Sequence, residues 1–102
     1  MPLDRPKIYI VRSGFDGPDC SPSISCVFSN KGDARVFMED EVNQAYKKEV
    51  RLWKNHECKV GIKIECPNEY RREIYIRYHD RFDSGWLKDT VWVIEEHEVV
   101  IG

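Results

Sequence analysis

The chain lacks any apolar run approaching the roughly 18–20 residues of a membrane span, so no spanning helix is expected. Neither sign of charge is in excess: 16 Lys plus Arg stand against 18 Asp plus Glu, a net charge of −2. Affinity for nucleic acid built on bulk positive charge is thereby excluded, because holding phosphates needs a clustered basic surface. The same figure is too mild for a wholesale nucleic-acid mimic. A phosphate cradle is missing too, since Gly14-Phe15-Asp16-Gly17 has neither the required spacing nor a following Lys-Ser/Thr. The four cysteines, at 20, 26, 58 and 66, contain no Cys-x-x-Cys. The first six residues offer no apolar core and no small-residue cleavage site. The sequence therefore predicts no signal peptide, a cytoplasmic location and free thiols.

What remains is a chain of 102 residues with 41% hydrophobic and 33% charged residues, the composition of one globular domain over residues 1–102. Lys7 to Arg12 is β-branched and aromatic and predicts a strand. Residues 13–22, with Gly14, Gly17, Pro18 and Pro22, predict an exposed connection. Ser23 to Ser29 alternates as a second strand, with Ile24, Cys26 and Phe28 on one face and Ser25, Val27 and Ser29 on the other. Ser29 or Asn30 can cap a helix, and Ala34, Phe37, Met38, Val42, Ala45, Leu52 and Trp53 form one stripe at 3.6 residues per turn. Glu49 interrupts that stripe and predicts a bend or an end near Tyr46. Lys59 to Cys66, Arg72 to Tyr78 and Thr90 to Val99 each alternate as strands, with a turn at Pro67-Asn68-Glu69 and a loop over 79–89. The order β-β-α-β-β-β predicts a two-layer α+β fold, one long helix packed on a mainly antiparallel sheet.

Lys7-Ile8-Tyr9-Ile10-Val11, Val27-Phe28-Ser29 followed by Ala34, and Ile94-Glu95-Glu96-His97-Glu98-Val99 together resemble a group of short phage and bacterial proteins of unknown function. Those proteins share a Lys-x-Tyr-x-Val first strand, a Val-Phe-Ser before the helix and an Ile-Glu-Glu-x-Glu-Val last strand. The resemblance spans about half the chain. It implies a phage or mobile-element origin, with the host cytoplasm as location, and it brings no catalytic residue.

Candidate chemistry is sparse. Cys26 and Cys66 fall in alternating apolar segments, where a free cysteine acts as a small hydrophobe. His56-Glu57-Cys58 with Cys66 or Cys20 could supply zinc ligands, but the cysteine spacings match no standard zinc pattern. Cys58 near His56 is the nearest thiol–base pair in sequence. His79-Asp80 invites a metal-phosphohydrolase reading that needs further ligands from other elements. No metal or cofactor is expected. Arg71, Arg72, Arg77 and Arg81, interleaved with Tyr70, Tyr75 and Tyr78, form the one basic aromatic stretch, partly neutralised by Glu69, Glu73, Asp80 and Asp83. The last 21 residues carry Lys88 against Asp83, Asp89, Glu95, Glu96 and Glu98.

The first functional reading is a small non-catalytic protein-binding protein, a phage-derived modulator or inhibitor of a host protein. One helix covers one sheet face, while Ile8 and Ile10 oppose Tyr9 and Val11, and Val91 and Val93 oppose Trp92 and Ile94. An uncovered apolar face asks for a protein partner or a homodimer. Tyr75, Arg77 and Trp92, placed side by side on that face with acidic Glu95 and Glu96, are the expected partner-binding residues. One alternative is a small enzyme or ligand-binding domain using loops 13–22 and 79–89, with Asp16, Asp19, His79, Asp80 and Asp83 converging. The other is single-stranded nucleic-acid binding through the 70–81 hairpin.

Overall fold

A computed structural model describes residues 6–15, 17, 21–54, 60–78 and 85–99. Five strands and one helix follow in the order β1 (Lys7–Gly14), β2 (Ser23–Phe28), α1 (Lys31–Trp53), β3 (Val60–Asn68), β4 (Arg71–Tyr78) and β5 (Leu87–Glu98). The strands form one sheet in the order β2-β1-β5-β4-β3, and all four pairings are antiparallel. With α1 packed on one face, this is the two-layer α+β fold that the periodicities predict. No helix among the described residues is long and apolar enough to cross a membrane.

The helix begins where a short polar side chain can satisfy free amides. Asn30 is in an extended conformation, and its Oδ1 accepts from the backbone N–H of Gly32 at 2.7 Å and of Asp33 at 3.3 Å. Asp33 in the first turn and Arg51 in the last complement the helix dipole. Ala34, Met38 and Val42, spaced by four, are buried against the sheet. Glu49 does not end α1, which runs unbroken to Trp53, and its carboxylate accepts from the Trp53 indole N–H one turn on. Leu52 departs from the expected stripe and is 62% exposed. Trp53 holds the helix end by an edge-on contact with Tyr78, centroids 5.6 Å apart.

The sheet supplies Val11, Ile74, Trp92 and Ile94 to the core, flanked by Tyr9, Phe28, Ile62 and Ile64. The register accounts for this set. Val11 pairs with Ile94, and Arg72 pairs with Trp92, so both pairs face α1. Arg72 shares the face through charge: its Nε donates to Glu39 of the helix at 2.7 Å and its Nη1 to the Asn68 carbonyl at 2.6 Å. The expected β3–β4 turn moves by about two residues, since β3 extends through Pro67 to Asn68 and the turn is Glu69-Tyr70.

Three irregularities were not visible in the alternation, one of them on β3, where the register steps from Glu65↔Glu73 to Asn68↔Arg71. Between β1 and β2 the register steps from Val11↔Cys26 to Arg12↔Ile24, leaving Ser25 as an extra residue. Ile24 therefore lies on the face away from the helix with Val27, and not with Cys26 and Phe28. Between β4 and β5 the step from Ile74↔Thr90 to Tyr75↔Lys88 leaves Asp89 extra.

Trp92 is 3% exposed and packs under α1, which makes its truncation a test of the whole arrangement. Trp92→Ala is expected to lower unfolding free energy by about 3–5 kcal/mol, measured by urea denaturation. Leu52→Ala, at an exposed position, is expected to stay within about 0.5 kcal/mol. Near-normal stability of Trp92→Ala would refute this packing.

Candidate protein-binding surface

The face opposite α1 is built by the residues that alternate with the core. Along the register it presents Val27 beside Ile10 and Glu95, then Arg12 beside Val93 and Arg71, then Gly14 beside Val91 and Glu73. Further along, Lys88, Tyr75 and Lys63 make another row. This face divides into two chemically different halves.

The half formed by β3, β4 and β5 is closed by a charged cluster around Glu73, which is 6% exposed. Its carboxylate accepts from Arg71 Nε at 3.0 Å and the Tyr75 hydroxyl at 3.1 Å, and pairs with Lys88 Nζ at 3.1 Å. Burial alone raises the pKa of a carboxyl. Here the bonds from Lys88, Arg71 and Tyr75 overcome that effect and hold Glu73 below the ordinary carboxylate value. Burial, reinforced by the bond to Glu73, pushes the Tyr75 phenol above its usual range. Lys63 lies over the Trp86 ring at 4.5 Å and near the Tyr75 ring at 5.5 Å. Val91, the cross-strand partner of Glu73, is wholly inaccessible.

The half formed by β2 and β1 is apolar and open. Ile24 is 55% exposed and Val27 50%, and Ile8 and Ile10 beside them are half-buried. β2 is an edge strand whose six residues, Ser-Ile-Ser-Cys-Val-Phe, carry no charge. The other edge, β3, carries Lys63, Glu65 and Pro67, residues that discourage strand addition. Arg12 donates from Nε to Glu95 and so places an ion pair at the border of the apolar half.

The expected partner-binding residues do not form one site. Tyr75 and Arg77 lie on the outer face, but Trp92 lies on the other, under the helix; a strand apolar on both faces does not reveal which tryptophan face is inside. Glu95 belongs to the outer face, paired with Arg12, whereas Glu96 points to the helix side, opposite Tyr9, and pairs with Lys7 at 3.7 Å. Lys88, the partner of Tyr75, and Glu95 are seven positions apart on β5, roughly 23 Å of strand. The acidic end is thus split between faces and answered by cations. Ile24 escaped the sequence reading because a bulge leaves alternation intact on paper; its one signal is the serine pair flanking it.

The basic hairpin is likewise committed internally, Arg71 to Glu73 and Arg72 to Glu39. Among the described residues, no group of three His, Cys, Asp or Glu is arranged to hold a metal ion. Cys26 is half-buried and Cys66 exposed on the β3 edge, both as free thiols. The loop set Asp16, Asp19, His79, Asp80 and Asp83, together with Cys20, His56, Glu57, Cys58 and Arg81, lies outside the described residues.

Because Glu73 has a lowered pKa in the folded chain, its stabilising effect is complete above its ordinary value of 4.5 and is lost as pH falls through the folded value. Glu73→Gln is expected to cost roughly 1–3 kcal/mol at pH 7. The gap to the parent chain should narrow as pH falls below 4.5, read by urea denaturation at stepped pH. A pH-independent gap would contradict the assignment.

Comparison with known protein families, with curated proteins and with solved structures gives no match to this chain.

Proposed function

We propose that this chain is a small non-catalytic protein-binding protein that docks a partner chain on the β2 margin of its outer sheet face. One observation carries the reading: Ile24 and Val27, brought to one face by the extra residue Ser25, stand 55% and 50% exposed on an uncharged edge strand. Natural edges are shielded by charge, proline or a covering element, and burying apolar area is favourable at about 25 cal/mol per Å2. A margin of this kind suits apolar side chains from another protein, and its one described cation, Arg12, is already paired with Glu95. The Arg12–Glu95 pair beside it supplies the polar rim that such interfaces carry. In this reading a modulator encoded by a phage would present the margin to its host target. A second copy can use the same surface, because identical edges pair antiparallel about a two-fold axis.

A photo-crosslinking amino acid placed at Val27 is expected to give one discrete adduct, whose mass identifies a second copy or a different chain. Ile24→Lys should abolish that adduct while changing unfolding free energy by no more than about 0.5 kcal/mol. No adduct, or an adduct that survives Ile24→Lys, overturns the reading.

A further inference from the structure

The last two turns of α1 and the residue after it carry Lys47, Lys48, Arg51 and Lys54. Elsewhere among the described residues the cations are answered: Lys7, Arg12, Lys31, Arg35, Lys63, Arg71, Arg72 and Lys88 each pair with a carboxylate, and Arg77 is engaged as well. Among the described residues, the four at the helix end have no such partner. Their spacing sets them against one another, Lys47 to Arg51 at four residues and Lys48 to Arg51 at three, where like charges destabilise a helix. The helix dipole explains the arrangement in part. Its effect is confined to the final turn, which contains Arg51, whereas Lys47 and Lys48 precede the last helical residue, Trp53, by six and five positions.

Lys47, Lys48 and Arg51 also line a groove of about 510 Å3 between the helix flank and the sheet, floored by Ser13, Gly14 and Thr90. Among the described residues Glu41 is the one carboxylate on its wall, so their lining is net positive by two. The volume is that of a small-molecule site. Among the described residues, the floor adds no cation that would carry a basic track further across the sheet, as an extended nucleic-acid strand requires.

We infer that this groove binds a small polyanion, a ligand with two or more phosphate or carboxylate groups held by Lys47, Lys48 and Arg51. The site lies on the helix side of the sheet, away from the proposed docking margin, and does not depend on it.

Calorimetric titration of the full chain with inorganic triphosphate and, separately, with citrate tests the inference and distinguishes the two ligand chemistries. At low salt, at least one probe is expected to bind at one equivalent. Lys48→Ala with Arg51→Ala should weaken it by more than tenfold, and Lys54→Ala, outside the groove, by less than twofold. Circular dichroism of each variant checks that the exposed substitutions leave the fold intact. Three results overturn the inference: no binding of either probe, equal losses from Lys54→Ala and the double variant, or tighter binding of a single-stranded oligonucleotide than of either small anion.

Discussion

β5 (Leu87–Glu98) hydrogen-bonds to β1 along one edge and to β4 along the other, and that double pairing is the constraint on which the two-layer arrangement depends. Without it the chain has two separate hairpins, β1–β2 and β3–β4, neither of which presents enough apolar floor for a 23-residue helix. With it, Trp92 and Ile94 fill the centre of the core between Val11 and Ile74. The partners are distant in sequence, Arg12 and Glu95 by 83 positions. Closing so long a loop costs entropy that grows slowly with length, but contacts of that separation slow folding. The stability of the helix therefore rests on a strand made near the far end of the chain.

Most of this architecture was legible because it follows from period and caps. The alternation of Ile62 and Ile64, of Ile74 and Ile76, and the Asn30 cap each have one physical outcome in a half-wet sheet or at a helix start. Face assignment was legible only where one face is polar. On β5, Trp92 and Ile94 alternate with Val91 and Val93, so period alone does not say which pair is covered. The register with β1 decides it, and register is a tertiary property. The bulges at Ser25 and Asp89 were hidden for a related reason: an extra residue changes which neighbours are opposite without altering local propensity. The expected site at Tyr75, Arg77 and Trp92 failed on that point, and the exposed pair Ile24 and Val27 was missed on it.

Charge placement gives a second account of the molecule. Carboxylates meet cations across the sheet and between sheet and helix, with Glu73 and Arg72 the most buried members. Breaking such a buried pair leaves an uncompensated charge, so these groups constrain register as well as stability. This use of Arg71 and Arg72 also removes the basic hairpin as a phosphate platform. Among the described residues, positive charge without an internal answer is concentrated instead at the end of α1, away from where the sequence clusters its arginines.

The two surfaces proposed here, an apolar margin outside the sheet and a cationic groove under the helix, meet at one residue. Ser25 is the extra residue that turns Ile24 outward. Its hydroxyl hydrogen-bonds that of Ser13, which lies on the groove floor beside Gly14. A bulge leaves one residue unpaired and re-aims the side chains beyond it. The Ser13–Ser25 bond ties the bulge to β1 from the helix side, where Ser13 faces α1. The residue that turns Ile24 outward thus touches a residue of the groove floor, so the two surfaces adjoin on opposite faces of one strand pair while each keeps its own lining.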